Sequence, residues 1–344
     1  MAVQFIPIDF NTQYDLWQEF RVRGIGASSF AALVGLDKYK CNLELFNECI
    51  GYPSYSLENL RTISGRETEP ITGKFYMYYD GSTKSVVDNW AKKKIIRQYE
   101  PVNAFCVNDK YEGLYVSMDG RILPYRGLVG YGALEKKNTI ARALDQYENR
   151  MNPAHIVQNL IQCRVSEYNF GEIAIYEVDS GQFDVIELHD LTPHKEIVDN
   201  WMEMHRIFWA NVKVARGHYT AMIDCQMKMN FRKAAEHQAE IEKLEPPAQN
   251  TDLYLSYLNK NYKNRIANKN VGIVKGTPEQ YEMAKIHKDI KKQIAELEVK
   301  MRKEEISLKT AIGGANKMDF GKGQGYLSWT PTSSGTRPFL NKVI

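Results

Sequence analysis

Between residues 104 and 135 the chain carries four short extended runs, Ala104-Phe-Cys-Val, Leu114-Tyr-Val-Ser-Met, Gly120-Arg-Ile-Leu and Tyr131-Gly-Ala-Leu-Glu, separated by Asn, Asp, Gly and Pro. Runs of this length bounded by turn formers read as strands, so a meandering sheet is predicted. Helical spacing flanks it. Tyr14, Leu16, Trp17 and Phe20 lead to Arg21, and the loop Gly24-Ile-Gly-Ala opens a short helix at Ser28 that ends near Gly35. A second helix is expected from Asn42, as its cap, to Gly51, which suits a left-handed C-terminal residue. A third is expected over Gly65–Tyr79.

After Asn152-Pro153 comes a helical segment carrying Gln158, then two more strand-like runs, Glu172-Ile-Ala-Ile-Tyr-Glu and Phe183-Asp-Val-Ile-Glu-Leu. Helices, sheet, helix and further strands predict a layered α/β core with a mixed, twisted sheet flanked by helices.

A chain of 344 residues exceeds what one core accommodates, so two units are expected. The core is placed at 1–215 and a helical extension at 216–344, with a break around Glu245-Pro-Pro. Thr277-Pro-Glu-Gln supplies a cap, a first-position proline and a capping glutamine. It opens a candidate coiled-coil helix over 277–312, whose stripe of Met283, Ile286, Ile290, Ile294, Leu297 and Met301 suits packing against the body or a partner helix. Lys260, Lys263, Arg265, Lys269, Lys285, Lys288, Lys291 and Lys292 suit either a DNA path or a solvated face. In the Gly/Ser-rich tail, Tyr326-Leu-Ser-Trp-Thr is expected to pair with Arg337-Pro-Phe-Leu.

Composition narrows the function. Hydrophobic content of 43% with 25% charged residues fits a soluble globular chain. No apolar run spans a bilayer and no secretory signal opens the chain, so no membrane partner and a cytoplasmic location are expected. Five scattered cysteines, with no CxxC pair, read as free thiols. The net charge of +3 decides nothing about a nucleic-acid partner, because phosphate-gripping charge is often local.

The chemistry lies in Met118-Asp119-Gly120 and Ala133-Leu-Glu135-Lys136-Lys137. A carboxylate on one strand and Glu-x-Lys on the next gather two hard oxygen ligands and an ammonium, because alternate strand residues share a face. Neighbouring carboxylates favour a divalent cation, Mg²⁺ or Mn²⁺, which activates water and stabilises charge on a phosphodiester. The Lys136 carbonyl offers a further oxygen. Alone, the triplet is common by chance; Glu69 on an upstream helix and Gln158 on a downstream one add two more elements with a common focus.

With these residues the chain resembles the phage lambda exonuclease and YqaJ-like viral recombinase family, within the PD-(D/E)xK nucleases. The likeness covers about residues 14–190 and is most specific in Trp17, Arg21, Gly24-Ile-Gly-Ala-Ser28 and Ala31-Ala-Leu-Val-Gly35. The Gly65–Glu69 helix, Asp119-Gly120, Glu135-x-Lys137 and Gln158 follow in family order. The departures are Met118 for the common proline, Ser29 for a frequent aspartate, and Lys136-Lys137-Asn138 for the usual apolar-Lys-Cys-Pro.

The resemblance implies a PD-(D/E)xK core and a Mg²⁺-dependent exonuclease, Mn²⁺ substituting, that resects linear double-stranded DNA 5′ to 3′ and leaves 3′ single strands for recombination by annealing. It implies Asp119, Glu135, the Lys136 carbonyl and Glu69 as metal ligands, Lys137 and Gln158 positioning the attacking water, and Arg21 and Ser28 holding the DNA 5′-phosphate. It also implies double-stranded DNA ends and a single-strand annealing protein as partners, a ring-shaped homo-oligomer, and the bacterial host cytoplasm for a phage or prophage product. An endonuclease or a catalytically idle DNA-binding protein are the rival readings.

Overall fold

The structure is a computed structural model that describes residues 2–8, 12–21, 23–52, 60–147, 150–266, 276–312, 317–320, 324–329 and 339–343. It divides into a first unit, Met1–Ala267, and a second, Asn268–Ile344.

The first unit opens with β1 (Val3–Pro7), α1 (Tyr14–Arg21), β2 (Ile25–Gly26), α2 (Ala27–Leu33) and α3 (Asn42–Ile50). Next come α4 (Leu60–Tyr78), α5 (Thr83–Ala91) and the strands β3 (Tyr99–Glu100), β4 (Ala104–Asn108), β5 (Leu114–Ser117), β6 (Gly120–Ile122) and β7 (Gly132–Thr139). It continues with α6 (Ala141–Leu144), α7 (Pro153–Ser166), β8 (Phe170–Glu177), β9 (Phe183–Leu188), α8 (Lys195–Met227), α9 (Phe231–Lys243) and α10 (Asp252–Ile266).

The four predicted central strands all form, but not as one meander. β4 and β5 belong to a four-stranded sheet ordered β1-β4-β5-β2, whereas β6 and β7 belong to a five-stranded sheet ordered β3-β6-β7-β8-β9. The chain changes sheets at Met118-Asp119, where the Asp119 amide already donates to the Leu134 carbonyl at 3.2 Å. Gly120 then pairs with Leu134 in antiparallel register.

The first half of β7 is covered on both faces, which is why the apolar residues Ala133 and Leu134 follow one another there. Ala133 packs into the larger core with Val157, Leu160 and Ile161 of α7, while Leu134 packs with Tyr76 and Tyr79 on the α4 side. β7 and β8 run parallel, Glu135 opposite Ile173, and α7 lies on the crossover between them. Its start matches expectation: Asn152 Oδ1 accepts from the Ala154 amide at 3.0 Å, with Pro153 in the first turn.

Two local readings change and a third holds. Cys41, not Asn42, is the cap of α3; the Asn42 side chain instead donates to the Pro247 carbonyl at 2.8 Å. α2 opens at Ala27 with Gly26 as its cap, so Ser28 is its second residue. Gly51 does end α3 in the left-handed region, at φ 111°.

The first unit ends later than the boundary expected at 215. α8 passes that position unbroken, and α8–α10 belong to the first unit. The Glu245-Pro-Pro segment is tied to that unit as well, because Gln249 donates to the carbonyls of Ala32 and Leu33 at 2.8 and 3.1 Å.

The second unit contains α11 (Pro278–Ile312) and a three-stranded antiparallel sheet of β10 (Lys317–Asp319), β11 (Gly325–Trp329) and β12 (Phe339–Val343). The predicted capping box is present: the Gln280 amide donates to the Thr277 hydroxyl at 3.3 Å, and the Thr277 amide donates to Gln280 Oε1 at 2.9 Å. The apolar stripe of α11 is exposed, from 48% at Ile290 to 68% at Met283. Tyr326–Trp329 pair with Phe339–Lys342 as expected in kind; Gly313, Thr330, Arg337 and Pro338 of that tail reading, and Lys269 of the basic set, lie outside the described residues.

Candidate active site

β7 supplies the centre of the site, because its odd-numbered side chains point toward α7. Glu135 is 3% exposed, and its Oε1 meets the Lys137 ammonium at 2.5 Å. Lys137 Nζ also donates to Gln158 Oε1 at 3.2 Å. Asp119 joins from the sheet crossover, its Oδ2 accepting the Lys136 amide at 2.6 Å. Glu135, Lys136, Lys137, Asp119 and Gln158 therefore form one connected group.

Glu69 approaches from α4. That helix is fixed to the end of β7 by Asn138, whose Nδ2 donates to the Gly65 carbonyl at 3.0 Å and whose Oδ1 accepts from Thr72 at 2.5 Å. Glu69 lies in the middle of α4, not in its first turn, and its charge acts on both Asp119 and Lys137.

Electrostatics here follow from crowding. Asp119 is enclosed by protein although part of its surface meets solvent, and burial, followed by the Glu135 and Glu69 charges, raises its pKa well above the ordinary carboxylate value. Burial works against the Lys137 ammonium, yet the Glu135 and Asp119 carboxylates outweigh it and hold its pKa above the usual lysine value. The Asp119 and Glu135 carboxylates, brought together at one point, are hard-oxygen donors of the kind that fit a divalent cation.

Among the described residues, the one trio of carboxylate and imidazole ligand atoms within 4.8 Å of one another lies elsewhere, at Glu172, Glu187 and His189. Its cation is already present. Arg97, itself 0% exposed, reaches Glu172 with one arm and Glu187 with the other, while Tyr76, Tyr125 and His189 also bond Glu172. Burial alone would raise the Glu172 carboxyl; the His189 bond and the Arg97 charge bring it below its ordinary value. This is an ion-pair network on β8 and β9 in which the Arg97 guanidinium already bridges the two carboxylates.

Three residues of the site escaped sequence reading. Gln162 Nε2 donates to Glu135 Oε2 at 2.6 Å and to the Ser117 carbonyl at 2.9 Å, and Asn159 Nδ2 donates to the Ala133 carbonyl at 3.2 Å. His155 sits one turn before Gln158, where burial and the Lys137 and Lys38 charges push its pKa down to about 3. A signal existed: His155, Gln158, Asn159 and Gln162 recur at helical spacing within an otherwise apolar segment, marking a polar stripe that faces the sheet.

Arg21 on α1 and Ser28 on α2 are not part of the hydrogen-bonded Asp119 group. The Arg21 guanidinium lies 4.4 Å from the Trp17 ring centre and bonds the Tyr115 hydroxyl. Ser28 is exposed on α2. The glycines of this motif allow β2 to lie against β5, since a Cβ at Gly26 would meet the Tyr115 hydroxyl at 2.9 Å.

Solved structures that resemble the chain include an alkaline exonuclease from Laribacter hongkongensis, 15% identical with a TM-score of 0.46, and the same exonuclease in complex with dAMP, 16% identical with a TM-score of 0.46. In each case the match covers 62% of this chain and 99% of the other. No curated protein matches. The model of the YqaJ-like viral recombinase domain matches residues 16–318, which includes every residue of the Asp119 group, and the chain belongs to that family.

Proposed function

We propose that the chain is a divalent-metal-dependent exonuclease that resects linear double-stranded DNA from its 5′ ends and leaves 3′ single strands for a strand-annealing protein. The observation that carries this reading is the meeting of Asp119, Glu135 and Lys137 through the Lys136 amide and the Glu135–Lys137 ion pair.

Asp119, Glu135, the Lys136 carbonyl and Glu69 would hold Mg²⁺, with Mn²⁺ as a substitute, as the hardness of these oxygen donors favours. When bound, such an ion activates water and neutralises charge building on the phosphodiester. Lys137 stays protonated among the carboxylates and keeps a hydrogen bond to Gln158, so ammonium and amide together present a fixed donor and acceptor edge to the attacking water. Burial of Glu135 and Gln158 limits competing water and strengthens these contacts.

Arg21 and Ser28 would take the 5′-phosphate and so set the polarity, the guanidinium being held in direction by Trp17. A ring of identical chains around the duplex and a role in the host cytoplasm for a phage or prophage product complete the reading. No described helix is long and apolar enough to cross a membrane.

The test is digestion of linear duplex DNA labelled at each end type, with Mg²⁺ or EDTA, comparing wild type with Glu135→Ala and Arg21→Ala. Mg²⁺-dependent loss from 5′-phosphorylated ends, absent in Glu135→Ala and without phosphate preference in Arg21→Ala, is expected. DNA that is bound but left intact would replace the enzyme with a DNA-binding protein, and nicking of closed circles would make it an endonuclease.

A further inference from the structure

Gln162 uses its whole amide. Both hydrogens of Nε2 are committed, one to Glu135 Oε2 at 2.6 Å and one to the Ser117 carbonyl at 2.9 Å. Its Oε1 accepts from Asn159 Nδ2 at 3.3 Å. The side chain is fully buried, at 0% exposure, so solvent contact has no part in its role.

The two acceptors lie in different sheets. Ser117 ends β5 of the four-stranded sheet, two residues before Asp119, and Glu135 lies on β7 of the five-stranded sheet. One amide thus fastens the sheets together beside the point where the chain crosses between them. It also fixes the second oxygen of Glu135, whose first oxygen is on Lys137. A free glutamate side chain samples many rotamers, and a carboxylate pinned at both oxygens has already lost most of that freedom.

We infer that Gln162 is a positioning residue for the metal centre, setting the orientation of Glu135 and the separation between the Glu135 and Asp119 carboxylates. The inference rests on the proposed metal-dependent function. Outer partners of metal ligands typically contribute about 10- to 100-fold to metal affinity, and that is the scale of effect expected here. Gln162 touches neither DNA nor the reacting atoms, so DNA affinity is expected to stay unchanged.

The experiment is Mn²⁺ titration of the full chain without DNA, reading free Mn²⁺ by electron paramagnetic resonance, for wild type, Glu135→Ala, Gln162→Met and Gln162→Asn. Circular dichroism melting and DNA binding in EDTA are recorded alongside. The expected result is tight binding by wild type, loss in Glu135→Ala, and at least about 10-fold weaker Mn²⁺ binding in Gln162→Met with DNA binding retained. Gln162→Asn keeps an amide one methylene short; it is expected to fall on the weak side too, and decides the matter if Gln162→Met does not fold. Wild-type Mn²⁺ affinity in either folded variant overturns the positioning role while leaving the metal reading intact. Equal Mn²⁺ binding by wild type and Glu135→Ala overturns the metal reading, and the inference with it.

Discussion

The Lys136 amide donates to Asp119 Oδ2 at 2.6 Å, so the backbone of the Glu-x-Lys strand itself holds the other carboxylate in place. An asparagine at 119 retains an oxygen for that bond and discards the charge that burial, Glu135 and Glu69 oppose. Asp119→Asn is therefore expected to melt at or above the wild-type temperature in EDTA while losing hydrolysis by about 10³-fold or more, the scale of several kcal/mol of metal-assisted stabilisation. Parallel melting curves and digestion rates check both halves.

Lys137→Met leaves Glu135 buried without its ammonium partner. The variant is expected to melt below wild type in EDTA and to regain part of the difference when Mg²⁺ is added, since a second cation can take over the neutralisation. Hydrolysis stays low in either condition. Identical melting shifts with and without Mg²⁺ would count against a cation at this carboxylate.

Arg97→Met removes the one cation facing two glutamates at the Glu172 network. Because Arg97 and Glu172 are almost wholly buried, the expected cost is about 3–5 kcal/mol, measured by urea unfolding. Arg97→Met with Glu172→Gln should recover part of that loss, as the uncompensated charge is then gone.

Acid sensitivity has an identifiable contributor in His205. Buried between Phe30 and Trp209, it has its pKa pushed down by burial from 6.5 to about 4. The unfolded chain then takes up a proton near pH 6.5 that the folded chain refuses, so this contribution is complete above pH 6.5 and is lost as pH falls toward 4. The loss reaches roughly 3 kcal/mol. His205→Phe is expected to flatten the fall in unfolding free energy across that window relative to wild type.

Much of the secondary structure was legible because local signals agreed with the final packing. The Asn152 cap, the left-handed Gly51 and the Thr277 box each declare themselves within a few residues. The division of the central strands between two sheets was not legible, because a strand's period does not say which neighbour it will pair with. Asp119, Glu135, Lys137 and Gln158 were found from residue type, order and family likeness, and the structure joins them. Gln162 was passed over because the polar stripe of α7 does not by itself say which partners it meets until the Ser117 carbonyl is placed beside it. The unit boundary was misjudged since α8 carries Trp201, Phe208 and Trp209 into the same core that α2 and α7 fill, a long-range contact with no local mark.

The parallel pairing of β7 with β8 has a consequence for the order of assembly. Antiparallel neighbours such as β6 and β7 can zip from a turn, but β8 cannot dock beside β7 until the intervening chain has closed. That same segment delivers Gln158 to Lys137 and Gln162 to Glu135. The candidate active site is thus completed by a non-local, entropically slow closure rather than by any hairpin. In a refolding experiment, catalytic competence should return with the slowest native signal and never ahead of it.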